Sequence, residues 1–101
     1  MNREELNYIK ELKQGRSAYE YHDQSAGTIR LLIIYRGERL FFQIDDRALI
    51  CEISARDSML GKKSLKKWDD GKSIGAEDRK VLVTLIQKYY TLSYRDVLVV
   101  V

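Results

Sequence analysis

The chain contains no proline, a single cysteine and a single histidine, and it lacks any long run of apolar residues. Its longest apolar runs, residues 31–35 and 97–101, are far shorter than the roughly 20 residues of a membrane-crossing helix. Cys51 has no second cysteine with which to form an internal disulfide, and its apolar surroundings are typical of a buried side chain. The charged N-terminus has no apolar segment behind it, so we expect no secretory signal and a location in a reducing cytoplasm.

Few residues are placed to carry out chemistry. His22 is the only imidazole, and a general base also needs a positioned second group. To act as a nucleophile, Cys51 would need to be an exposed thiolate beside a base. A phosphate-binding loop ending at 61–64 would need a glycine where Arg56 stands, and the aspartate pairs of the chain lie in turns without the spacing of a calcium loop. We therefore expect no enzyme activity, no cofactor and no metal.

Composition indicates one folded domain that spans residues 1–101. The chain is 45% apolar and 33% charged, which is typical of a globular protein, and 101 residues allow one modest core. The net charge of +3 is unevenly distributed. Most of the excess comes from one cluster of lysines: Lys62, Lys63, Lys66 and Lys67.

Two helices are predicted. The first spans residues 3–14, because Asn2 and Glu5 have the spacing of a capping box, and Gly15 is expected to close it in the left-handed conformation. Its narrow apolar stripe indicates a helix at an edge of the sheet or on its second face. The second spans residues 76–90 and follows Gly75 at the N-cap. Its apolar stripe consists of Val81, Leu82, Leu85, Ile86 and Tyr89, with Lys80, Thr84, Gln87 and Lys88 opposite.

The remaining apolar segments predict strands. Residues 28–35 and 39–45 form a hairpin about a turn at 36–38, and residues 48–55 form a third strand. Residues 16–27 have a loop composition with room for a short edge strand. The predicted fold is therefore α+β, an antiparallel sheet of about four or five strands with the 76–90 helix packed on one face.

The apolar segment at residues 94–101 needs a covering. Val97, Leu98, Val99, Val100 and Val101 leave no polar side. Such a strand is either central in the sheet or paired with another molecule, because an exposed edge of this kind aggregates. We expect the central position, and the alternative is a homodimer or a partner that adds a strand there.

A second function remains open at the lysine cluster. Lys62, Lys63, Lys66 and Lys67 can neutralise phosphates, and Trp68 can stack on a base, so a nucleic-acid-binding module is one interpretation. The other is a solvated loop that Trp68 anchors to the core.

One pattern resembles a known class. Trp68 follows Ser64-Leu65-Lys66-Lys67, and after a short polar gap come Ile74 and an acidic helix start with Asp78-Arg79. This layout, preceded by a β-hairpin, resembles small bacterial immunity proteins of contact-dependent growth inhibition and polymorphic toxin systems. The resemblance implies a non-catalytic cytoplasmic inhibitor that binds one cognate toxin domain, often a nuclease.

Aromatic anchors and charges carry most tight protein interfaces, so under this resemblance exposed tyrosines and acids are the candidate contacts. The candidates form two patches: Tyr19, Glu20, Tyr21 and Asp23 in one, and Trp68, Asp69 and Asp70 in the other. Because the chain is itself mildly basic, its partner is expected to be neutral or acidic near the contact. A homo-oligomeric accessory protein is a third interpretation, based on the apolar terminal segment.

Overall fold

One curled sheet holds all the strands that the computed structural model describes, and the model covers residues 2–101. The strand order equals the order along the chain, with antiparallel neighbours from β1 to β5 and a parallel pair at β5–β6. The elements are α1 Arg3–Gln14, β1 Tyr19–Asp23, β2 Gly27–Ile34, β3 Arg39–Ile44, β4 Arg47–Ser54, β5 Met59–Leu60, α2 Ala76–Tyr94 and β6 Val99–Val100. The α+β class is confirmed, with six strands in residues 2–101 rather than four or five.

The three central strands β2, β3 and β4 separate two apolar layers. Side chains alternate across a strand, so Phe42 lies between Leu31 and Leu49 on one face while Phe41 points to the other. The first face packs against α2 and holds most of the core. The second face packs against α1 and buries a smaller cluster: Ile9, Ile34, Phe41 and Ala48.

Helix α1 begins as predicted and ends differently. The Asn2 side chain accepts a 2.8 Å hydrogen bond from the Glu5 amide, which caps the first turn. Gly15 is extended (φ −76°, ψ 170°), so the predicted left-handed cap is wrong. The guanidinium of Arg30, buried under the helix, instead donates to the carbonyls of Lys13 and Gly15 at 2.8 and 2.6 Å. A side chain from the sheet thus binds the free carbonyls that the helix end leaves.

Helix α2 is one turn longer than predicted and buries most of the predicted stripe, with Tyr90 in addition and without Val81. Its buried residues are Leu82, Ile86, Tyr89 and Tyr90. Val81, expected in the stripe, is 61% exposed, while Gln87, expected on the polar face, is half-buried. The helix ends at Arg95, which adopts the left-handed conformation (φ 57°) that usually requires glycine. Neither helix in residues 2–101 has the combination of length and apolar content that a bilayer crossing needs.

The segment 94–101 is not a central strand, and this correction matters for function. Tyr94 is the last residue of α2, and only Val99 and Val100 are in β6, at the edge of the sheet. Leu98 is fully buried. The central position that the sequence favoured is therefore wrong, because among the described residues β6 pairs only with the two-residue strand β5.

Candidate protein-binding surface

The backbone of β6 has one side paired and one side open. The amides of Val99 and Val101 donate to the carbonyls of Ser58 and Leu60 at 2.7 and 2.9 Å. Successive residues of a strand direct their hydrogen-bonding groups to opposite sides, so Val100 points its N–H and C=O away from β5. This residue presents an edge at which another strand can pair.

Helix α2 already covers the neighbouring part of this edge. The carbonyl of Leu98 accepts a 2.8 Å hydrogen bond from the Gln87 side chain. Asp96, just before the strand, accepts from the Thr91 and Ser58 hydroxyls at 3.0 and 2.5 Å, through its carbonyl and its carboxylate respectively. The segment just before β6 is therefore held in place, and the open groups of the edge are those of Val100.

Apolar side chains border the open edge. Val97, Val99 and Val101 are 62%, 59% and 59% exposed. Val99 lies opposite Met59 in the register of β5 and β6, on the sheet face that does not pack against α2. Leu92, on the outer side of α2, is also about half exposed and shares a shallow depression with Val97. A row of exposed aliphatic side chains along an unpaired strand is typical of an interaction surface.

The first predicted contact patch is divided by the structure. Tyr21 and Asp23 face α2: the Tyr21 ring lies 5.1 Å from that of Tyr89, and the Tyr21 hydroxyl is 2.8 Å from the Ser93 hydroxyl. Tyr89 donates a 2.6 Å hydrogen bond to the Asp23 carboxylate. That bond lowers the pKa of Asp23 and raises the pKa of Tyr89 to about 12. These two patch residues attach α2 to the sheet.

The other two residues of the patch remain open. Tyr19 is 44% exposed, and its ring packs nearly perpendicular to the ring of Tyr94 with centroids 5.2 Å apart. The Glu20 carboxylate lies 3.5 Å from the Arg30 guanidinium with more than half of its side chain exposed. Both lie on β1, at the opposite edge of the sheet from β6.

The second predicted patch is mainly structural. Trp68 is only 8% exposed, and the Arg47 guanidinium lies 5.0 Å from its ring centroid. Asp69 contacts the Lys13 ammonium at 2.5 Å and accepts from the Ala48 amide at 3.0 Å. These contacts fix the loop to β4 and α1.

Asp70 is the exposed member of this patch. Its carboxylate accepts from the Lys72 amide at 2.9 Å and lies 3.3 Å from the Arg47 Nε. The backbone hydrogen bond, followed by the charge of Arg47, lowers the pKa of Asp70.

The lysine cluster is exposed, whereas Trp68, which follows it in the sequence, is buried. Lys62, Lys63, Lys66 and Lys67 are all exposed, and within residues 2–101 none of them has a carboxylate within 4.0 Å. Trp68 is in the core cluster, so its ring presents no open face to a base. The lysines are thus a basic surface without the stacking residue that the sequence suggested.

The two reactive side chains lie apart. Cys51 is fully buried, and burial raises the pKa of its thiol to about 12. His22 is exposed on β1, where its Nδ1 is 3.3 Å from the Thr28 hydroxyl. Among the described residues no three His, Cys, Asp or Glu side chains come together in a way that could hold a metal ion.

Comparisons with known proteins provide no relative. No family model matches the chain, and searches of curated proteins and of solved structures find no similar protein.

Two residues that shape the edge could not be recognised from the amino-acid sequence. Gln87 stood in the polar half of a helical pattern, and Val100 was one of several identical side chains. A signal was present in Met59-Leu60, an apolar pair in a polar connection, which forms the strand that receives β6.

Proposed function

We propose that this protein acts by binding another protein stoichiometrically and that the open edge at β6 is part of its contact surface. The observation that carries the proposal is the combination of an outward-facing Val100 backbone with the exposed row Val97, Val99 and Val101. An added strand satisfies the backbone groups of an edge while its side chains cover apolar neighbours. Covering each of these valines contributes about 1 kcal/mol, since each is already partly buried.

The class of partner comes from the resemblance to immunity proteins. The proposed partner is a cognate toxin domain in the bacterial cytoplasm, and this chain would neutralise it without catalysis. Tyr19, Glu20 and Asp70 are the members of the sequence-predicted patches that the fold leaves open to such a partner. Tyr19 and Glu20 lie on β1, at the opposite edge of the sheet from β6, so they would belong to a separate part of the interface.

A direct experiment uses the toxin domain encoded next to the gene for this chain. The purified chain is titrated into that domain in a calorimeter, and the toxin activity is measured across the same ratios. The proposal predicts one-to-one binding and loss of toxin activity at equivalence. Binding without inhibition, or a neighbouring gene that encodes no secreted protein with such a domain, argues against toxin neutralisation.

The exposed lysine cluster favours a second candidate function, binding of RNA or DNA. Phosphate contacts weaken steeply with salt, so a salt titration with labelled oligonucleotides tests this alternative. Replacing Lys66 and Lys67 by glutamate should then abolish binding. No binding at low salt removes the alternative.

A second copy of this chain is the third candidate occupant of the edge. Light scattering of the purified chain measures its mass in solution. A dimer that becomes a monomer on Val99→Glu would assign the β6 edge to self-association.

A further inference from the structure

A groove lies between β6 and the first half of α2. Its volume is about 430 Å³, and Val83 of α2 and Val100 of β6 form its apolar wall together with Ala76. Val100 therefore takes part in two features at once, because its side chain lines the groove while its backbone points to the open edge. In a strand added to β6, every second side chain would point to the same face of the sheet as the Val100 side chain, which is the face of the groove.

Basic side chains border this groove. Lys62, Arg79 and Lys80 line it, and no carboxylate of residues 2–101 does. Within residues 2–101 Lys62 makes no ion pair, while the Lys80 ammonium lies 3.6 Å from the exposed carboxylate of Glu77. An exposed pair of this kind is weak and leaves Lys80 able to exchange partners. The Arg79 Nε donates to the Leu65 carbonyl at 3.3 Å, which holds its guanidinium at the border of the groove.

We infer that this groove binds an extended acidic segment of the partner protein, in which the side chains at every second position face the groove and include both acids and aliphatic residues. The inference rests on the proposed protein-binding function and adds the chemistry of the segment that is recognised. The segment pairs with the Val100 backbone, its aliphatic side chains contact Val83 and Val100, and its carboxylates approach the three basic groups. Charge complementarity favours acids, and the apolar wall with an open strand edge favours a peptide over a polynucleotide.

The experiment selects binders to the purified chain from a phage-displayed library of random short peptides. The selected peptide is then synthesised with a fluorescent label, and its affinity is measured by fluorescence polarisation. We expect the selected peptides to carry Asp or Glu together with Val, Ile or Leu at every second position, the positions that face the groove. Selection of basic or uncharged peptides, or of none, overturns the inference.

Matched variants locate the binding site. Lys62→Glu with Lys80→Glu should lower the affinity for the selected peptide by about tenfold or more, because the new charges repel its acids. Lys66→Glu with Lys67→Glu is the control. It makes the same change of net charge outside the groove, in a separate depression that Glu5 and Ile50 also line. Val100→Pro removes the outward N–H and keeps the Val99 and Val101 bonds to β5, so it should also weaken binding. Equal effects of the two charge variants overturn the inference.

Two further outcomes separate this inference from the proposed function. If the toxin domain binds with unchanged affinity to Lys62→Glu with Lys80→Glu, the groove inference fails while protein binding stands. If acidic peptides bind in the groove but no toxin domain does, the inference stands and toxin neutralisation fails. A labelled oligonucleotide that binds where acidic peptides do not, with the same dependence on Lys62 and Lys80, overturns the inference in favour of nucleic acid. Circular dichroism melts of each variant confirm that it folds.

Discussion

The Tyr89 hydroxyl donates a 2.6 Å hydrogen bond to the Asp23 carboxylate and so ties the second half of α2 to the end of β1. Two backbone amides, those of Ser25 and Ala26, donate to the same carboxylate at 2.9 Å. The bond joins residues 66 positions apart in the chain. It thus stabilises the packing of α2 over the sheet, on which the groove and the β6 edge depend.

This bond predicts a loss of stability at alkaline pH. The folded pKa of Tyr89 is raised to about 12, above the unfolded value, so its stabilisation is complete below about pH 10. It is lost as the pH rises towards 12. Urea unfolding at a series of pH values should show this decline in the wild type and a smaller one in Tyr89→Phe. Tyr19→Phe is the control, since the Tyr19 hydroxyl has no hydrogen bond within residues 2–101, and an equal effect of both variants contradicts the assignment.

The partner of that bond predicts a loss of stability in acid. Because the folded pKa of Asp23 is lowered, its contribution is present above about pH 4 and is lost as the pH falls through the folded value. Asp23→Asn should therefore flatten the acid limb of the stability profile. An unchanged acid limb, measured by the same urea series, would show that other carboxylates determine it.

Trp68 is predicted to be a core residue. Trp68→Ala should lower the free energy of unfolding by about 3–5 kcal/mol, because it leaves a cavity beneath the loop. The native fluorescence of this single tryptophan should be blue-shifted and poorly quenched by iodide. Quenching on addition of an oligonucleotide would instead indicate that the ring is open to a base.

Cys51 is predicted to be unreactive in the folded protein. Its thiol is fully buried with a pKa of about 12, and the thiolate is the reactive form. The thiol reagent DTNB at neutral pH should label it only as fast as the chain unfolds, and fully in denaturant. Rapid labelling of the native protein would contradict the burial and reopen a chemical role.

Two exposed valines allow an effect on binding to be separated from an effect on folding stability. Val99→Glu and Val81→Glu each place a charge where a valine is about 60% exposed, so each should change the free energy of unfolding by no more than about 0.5 kcal/mol. Only Val99→Glu should weaken binding of the toxin domain, measured by calorimetric titration. Equal loss of binding in both variants would mean that β6 is not the contact.

Local signals in the sequence predicted most of the fold. The capping box at Asn2 and Glu5 predicted α1 correctly at residues 3–14, and two apolar segments about a turn predicted the β2–β3 hairpin. The left-handed cap at Gly15 was wrong because Arg30, from a strand distant in sequence, satisfies the helix end. No local pattern contains that contact. The end of α2 was missed because Arg95, without glycine's freedom, takes the left-handed position.

The candidate site was harder to predict because it depends on which strand lies at the edge. Five apolar residues in 97–101 indicated burial, but only alternate side chains of this segment face α2. The two-residue strand β5 is too short to predict from alternation, and it decides where β6 pairs. Tyr21, Asp23, Trp68 and Asp69 are the kinds of residue found at interfaces, yet long-range contacts that only the fold reveals use them within the molecule.

Amide hydrogen exchange at β6 shows whether the partner binds at the open edge. In the free chain the Val99 and Val101 amides, bonded to β5, should exchange more slowly than the open Val100 amide. On saturation with the toxin domain, Val100 should become protected to a similar degree. An unchanged, fast exchange of Val100 in a complex that has formed would contradict the β6 edge as the contact surface.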